Sequence, residues 1–164
     1  MRKLLSIVCL IFSGVALSAG SGSSSGSSSS LSRAERLYND GVEYMLDRDF
    51  ARAESKFRSA LKRDEDWAEA HNNLAYTLRK QGNDNYFQAL FHYNKAIELS
   101  PQLPEPYMYR GVLHVQMERV DLASNDLEAL IAMKSPLAEE LKFVINNRKE
   151  KSPEQFFGVS PAID

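Results

Sequence analysis

Three histidines, one cysteine and a short acidic run are the side chains best suited to chemistry in this sequence of 164 residues. A metal site would need imidazoles or thiolates brought to one face, as in His-x3-His on a helix. His71, His92 and His114 have no such spacing, and Cys9 is the only cysteine. All three histidines are read as core or surface residues. Asp64-Glu65-Asp66 falls between two helical stretches and reads as a solvated turn with a helix cap. The chain carries no phosphate-cradling loop and no H-E-x-x-H pair. The expectation is therefore a protein that is not an enzyme, with no metal, no cofactor and no small-molecule substrate. A net charge of −2 gives no field that would draw nucleic acid or anionic lipid. The Tyr and Phe residues recur at helical spacing, which makes them core and not a stacking platform for bases.

Binding is left, and binding depends on the elements that display these side chains. Aligning the chain with itself at about 34 residues brings like residues into columns. Gly41, Ala75 and Gly111 form a column of small residues; Ala53, Ala89 and Ala123 form a second. Phe57, Tyr93 and Leu127 fill a third, and Ala60, Ala96 and Leu130 a fourth. Leu61, Ile97 and Ile131, then Phe50, Tyr86 and Val120, then Leu37, His71 and Tyr107 complete the set. The middle copy holds two extra residues within Gly82-Asn83-Asp84-Asn85, a turn-rich tract where insertion is tolerated. Each copy reads as two antiparallel helices. The small residues allow close approach of the pair, and the large ones fill the space between copies. One such pair cannot bury its apolar faces alone, whereas a stack of three can.

These columns resemble the tetratricopeptide repeat (TPR), with its A-x3-F core and closing proline. Ala53-x3-Phe57, Ala89-x3-Tyr93 and Ala123-x3-Leu127 carry the centre of the motif, and Pro101 closes the second copy. Glu65 and Ser135 replace that proline in the other two. Arg110-Gly111 with Asp126-Leu127 is similar to a common variant of the motif. The resemblance implies an all-α right-handed superhelix of three repeats, about 34–67, 68–103 and 104–135. Helices are expected at 33–46, 50–63, 67–81, 86–99, 104–117 and 120–133. Ser32 and Glu35 have capping-box spacing for the first, and Asp66 with Glu69 suits the third. Pro104 fits a first helical turn. A further helix over 136–149, with Leu137, Leu141, Val144 and Ile145 on one stripe, is expected to cap the open end. The TPR domain as a whole is placed at 33–150.

In such a fold the first helix of each repeat lines a concave groove. The resemblance places Tyr38, Val42 and Met45 there from repeat one, and Asn72, Asn73, Tyr76, Arg79 and Lys80 from repeat two. Repeat three adds Met108, Tyr109, Val112, Val115 and Gln116. Such a surface favours a protein or peptide partner with apolar anchors and an acidic group near Arg79. Some TPR domains clamp the C-terminal carboxylate of heat-shock chaperones with Lys, Asn, Asn, Lys and Arg. The matching positions hold Tyr38, Val42, Asn73, Glu105 and Tyr109, and only Asn73 agrees. That ligand is excluded, since its carboxylate would be desolvated without cations.

The ends are read separately. Arg2 and Lys3, the apolar run Leu4–Leu17 and the small residues Ser18, Ala19 and Gly20 have the order of a secretory signal peptide. Cleavage is expected after Ala19, or alternatively after Ser18. Export, periplasmic or secreted, follows; membrane contact follows only if the segment stays uncleaved as an anchor. Residues 20–32 form a Gly/Ser-rich linker that cannot bury apolar area, serving as a tether or a disordered tail. Residues 151–164 carry Phe156, Phe157, Val159 and Ile163 between Pro153 and Pro161. They dock on the domain itself or on a partner. Two functions stay open: an exported scaffold or adaptor for a protein partner, and a structural module that stacks on its own copies.

Overall fold

Ser32 starts the first helix by a reciprocal cap. Its hydroxyl accepts from Glu35 N–H at 3.1 Å, and the Glu35 carboxylate accepts from Ser32 N–H. The computed structural model describes residues 31–150, and all regular secondary structure among them is helical. The helices are α1 (Arg33–Leu46), α2 (Phe50–Leu61), α3 (Ala68–Gln81), α4 (Tyr86–Leu99), α5 (Pro104–Gln116), α6 (Val120–Ala132) and α7 (Leu137–Asn147). Every helix expected from the sequence is present, with ends within two residues of expectation. One cap differs: α3 starts after Trp67, with no side-chain cap from Asp66. The proposed leader, the Gly/Ser linker up to residue 30 and residues 151–164 lie outside the described residues.

The helices pair as α1 with α2, α3 with α4 and α5 with α6, and α7 closes the stack on α5 and α6. One backbone device turns each pair. Arg48 and Glu118 end α1 and α5 in the left-handed region at φ 61°, and Gly82 ends α3 at φ 123°. A φ of 123° is open to glycine alone at little cost, which suits Gly82 to the turn that holds the insertion. The tract that holds the two extra residues folds at Asn83–Asn85 as a single 3-10 turn.

The small-residue columns act as expected in the first repeat. A Cβ on Gly41 would lie 2.7 Å from the ring of Phe57 on its own partner helix, so the hydrogen is what lets α1 and α2 close. Gly111 differs: a Cβ there would meet Leu141 of α7 at 2.5 Å. Its close approach is to the capping helix. Ala53, Ala89, Ala123, Phe57 and Tyr93 are all fully buried.

Each outer repeat is also tied by an ion pair between its two helices, and the polarity reverses from one to the other. Asp40 beside Gly41 accepts from Lys56 beside Phe57 at 2.6 Å. Arg110 beside Gly111 donates to Asp126 beside Leu127 at 2.5 Å. The acid and base have exchanged helices while the 16-residue separation is kept. Asp126 is almost fully buried. Burial raises its carboxyl above the usual range, and Arg110 acts in the opposite direction.

In the middle repeat His92 stands at the place of Lys56 and Asp126, and it meets His71. The two Nδ1 atoms are 2.9 Å apart, and His71 Nε2 lies 2.9 Å from the Glu65 carbonyl. A carbonyl accepts only, so His71 donates from Nε2. Of the two facing Nδ1 atoms one must donate and the other accept, so the two rings cannot both be charged; with His71 neutral, its Nδ1 accepts from His92. Burial, with His71 and Arg58 nearby, depresses His92 to about 4. Burial also lowers His71.

Candidate functional site: a buried carboxylate clamp on the concave face

The first helices of the repeats, α1, α3 and α5, stand side by side, and their shared face bears the residues singled out from the sequence. The structure corrects their expected exposure. Tyr38, Val42, Met45, Asn72, Asn73, Arg79, Met108, Val112 and Val115 are buried, Tyr76 is half-buried, and Lys80 and Gln116 are exposed. The cause differs by helix. Tyr38 is stacked beneath Trp67 at 4.5 Å between ring centroids and also touches Phe57. Val42 and Met45 join the core cluster around those rings. Met108, Val112 and Val115 pack in one cluster with Leu137, Ala138, Leu141 and Val144 of the capping helix. Tyr109, also expected in the groove, is buried against Tyr76 and Tyr93.

At the centre is Arg79. Its side chain is fully buried, the burial class in which arginine is almost never found unpaired. Its guanidinium lies 5.4 Å from the Tyr76 ring centroid and 5.7 Å from that of Tyr109. Nη1 donates to Glu150 Oε1 at 2.7 Å and Nη2 to Glu150 Oε2 at 3.1 Å, a two-pronged contact. Gln116 donates to the same carboxylate at 3.3 Å, and Lys80 Nζ lies 3.7 Å away. Burial alone would raise the Glu150 carboxyl, but the bonds from Arg79 and the charge of Lys80 hold it below the usual range. Burial likewise opposes the charge on Arg79, which its neighbours more than offset. Sequence reasoning had marked Arg79 as the place for an acidic group. The group seated there is the chain's own.

Two more features of this face were not seen in the sequence. Asn72 is fully buried, and its Oδ1 has no hydrogen-bond partner although its amide donates to Asn73. A buried acceptor left unmet costs on the order of 1–3 kcal/mol. Glu35, Glu69 and Glu105 occupy equivalent places in the first turns of α1, α3 and α5. Burial raises Glu105, and the charge of Glu69 adds to it. The face is thus acidic at the helix N-termini and basic where α3 ends at Arg79 and Lys80. The signal for the row of glutamates was present as a column at the repeat spacing.

Away from this face, Phe87 and Phe91 of α4 are 69% and 64% exposed, one turn apart. No described helix is long and apolar enough to cross a membrane.

Comparison with known proteins places the architecture. No protein-family model and no curated protein matches the chain. Solved structures do match. The TPR2B domain of yeast Sti1, in a pHsp70 complex, is 21% identical, covers 71% of this chain and 98% of its own, and has a TM-score of 0.64. The first TPR of Spaghetti (RPAP3), bound to the HSP90 peptide SRMEEVD, is 17% identical over 71% of this chain and 92% of its own, TM-score 0.64. PcrH, in complex with the chaperone binding region of PopD, is 20% identical over 70% and 86%, TM-score 0.60. At these identities the likeness establishes the fold: the described residues form an all-helical, TPR-type solenoid.

Proposed function

We propose that this protein is an exported scaffold that binds an extended segment of a partner protein along the face formed by α1, α3 and α5. One observation carries the reading. That face already holds a carboxylate on a buried arginine, with Lys80 and Gln116 beside it and the aromatic rings of Tyr76 and Tyr109 below. A partner segment with an acidic side chain next to apolar ones would meet the same groups. The similar TPR structures include domains complexed with peptides or partner segments, which supports a binding role and does not identify the ligand. Export rests on the basic, apolar and small residues of the first 20 positions. No catalytic step belongs to this function.

The test is selection of phage-displayed peptides on the purified chain. Enriched sequences should place Asp or Glu within a few residues of Phe, Leu, Ile or Val. Lys80→Ala should weaken a selected peptide by about tenfold, the equivalent of ~1.4 kcal/mol, with the loss shrinking in high salt. Lys80 is exposed, so the helicity of the variant should be unchanged. Peptides that bind the variant as tightly as the parent would refute the assignment of this face. Export has its own check: the mass of the native protein should correspond to a start near Gly20, and an intact Met1–Ala19 segment in a cytosolic fraction would refute it.

A further inference from the structure

The carboxylate on Arg79 belongs to a residue just beyond the capping helix. α7 ends at Asn147, and Arg148 takes the left-handed conformation, φ 56° and ψ 25°, which breaks the helix and redirects the chain. Two residues later Glu150 is bound to Arg79 of α3, although α3 is not the helix on which α7 packs. The chain therefore leaves the capping helix by turning onto the concave face. We propose that residues 151–164 continue along that face as an internal ligand, so that a partner segment must displace them to bind. This rests on the concave face being the peptide-binding surface.

The segment has the means to do so. About 14 residues at ~3.3 Å each span roughly 46 Å when extended. α3, with 14 residues at 1.5 Å rise, is about 21 Å long, so the segment could follow its whole length with residues to spare. Pro153 and Pro161 oppose a helix and favour the extended form that suits a groove. Phe156, Phe157, Val159 and Ile163 are four apolar side chains in a short stretch, and exposed to water they would gain from a covered site. An internal ligand also has an affinity advantage. Glu150 fixes its first residue on the groove, so the remainder binds at a high effective concentration.

Two measurements on the full chain test this. In the first, a photo-crosslinking benzoylphenylalanine replaces Phe157. The expected product is a crosslink within one chain, to peptides from α1, α3 or α5. Crosslinks between two chains, crosslinks confined to α2, α4 or α6, or none at all would overturn the proposal. In the second, a labelled synthetic peptide of residues 148–164 is added to the parent chain and to the F156A/F157A variant. Both positions lie outside the described helices, and unchanged helicity is the control. If the parent's groove is about nine-tenths occupied by its own segment, the peptide should bind the variant about tenfold more tightly. Equal affinity for both, or no binding to either, would overturn the internal ligand. The two ideas fail separately. A phage-selected peptide that depends on Lys80, combined with equal affinity of the 148–164 peptide for parent and variant, leaves the scaffold standing and removes the internal ligand. A crosslink to α3 with no foreign peptide selected does the reverse.

Discussion

Glu150→Gln removes the charge from the clamp and keeps its shape, so its cost can be worked out from the contacts. The wild-type carboxylate accepts from both Arg79 nitrogens, at 2.7 and 3.1 Å, and from Gln116 at 3.3 Å. A glutamine amide offers one oxygen. Its NH2 group would face the second Arg79 nitrogen donor to donor. The Arg79 side chain is fully buried and that of Glu150 is 19% exposed. Removing one partner of a buried pair costs roughly 3–5 kcal/mol. The retained oxygen and the partial exposure reduce this, and about 2 kcal/mol is expected. For a folded region of this size a kilocalorie shifts the thermal midpoint by about 4 °C, so the midpoint should fall by about 8 °C. Circular dichroism melts at pH 7 would measure it. Arg79→Met and the double variant complete a cycle, and a coupling of at least about 1 kcal/mol is expected between the two sites. A midpoint for Glu150→Gln within about 1 °C of the parent, or strictly additive single changes, would show that the pair contributes nothing. The redirection of the chain after α7 would then lose its energetic basis.

Other consequences follow from packing and protonation. Gly41→Ala puts a methyl 2.7 Å from a Phe57 ring that is itself buried against Tyr38. Overpacking of about 1–3 kcal/mol, less ~1 kcal/mol gained in helix propensity, leaves a net loss near 1 kcal/mol in urea denaturation. Gly111→Ala meets the fully buried Leu141 side chain at 2.5 Å, at least as tight a contact, and should cost a similar net amount of about 1 kcal/mol; a gain in stability at either site would refute the packing account. Burial, aided by neighbouring positive charge, depresses both His92 and His114 to about 4, while an unfolded histidine titrates near 6.5. The unfolded chain therefore binds more protons between about pH 6.5 and 4, so stability is full above that window and falls as pH drops through it. His92→Gln should flatten part of this slope in melts taken from pH 7 to 4.5, and an unchanged slope would exclude the His71–His92 pair as its source.

Periodic features of the fold were legible in the sequence because each repeat states them again. The alanines at 53, 89 and 123, the large residues after them and the small residues of the first helices fixed six helices. The stripe of Leu137, Leu141 and Val144 gave the seventh. The Arg110–Asp126 pair was visible as part of a motif. Its counterpart Asp40–Lys56 was hidden, because the charges change places and a column then shows acid under base. The concave face was less legible. Helical register identified which residues of α1, α3 and α5 share it, but not what lies over them. Met108, Val112 and Val115 are covered by the capping helix. Tyr38 is covered by Trp67, which the sequence offered only as a residue near the start of α3. Arg79 and Glu150 are separated by 71 residues and belong to no shared period.

That last pair also sets how the proposed scaffold would exchange ligands. A fully buried guanidinium left without an anion would cost several kcal/mol, so a state in which Glu150 has left and nothing has replaced it is scarcely populated. Replacing Glu150 by a partner's carboxylate trades one two-pronged contact for another of the same kind, and the charge term nearly cancels. Affinity must then come from what differs between the two segments: the apolar side chains beside the acid. Lys80 and Gln116, both exposed at the rim, are where an incoming carboxylate could be held before Glu150 lets go. A partner lacking the acid would have to bind with Glu150 still in place. It would compete only for the groove beyond Arg79, and its binding should be insensitive to Lys80→Ala.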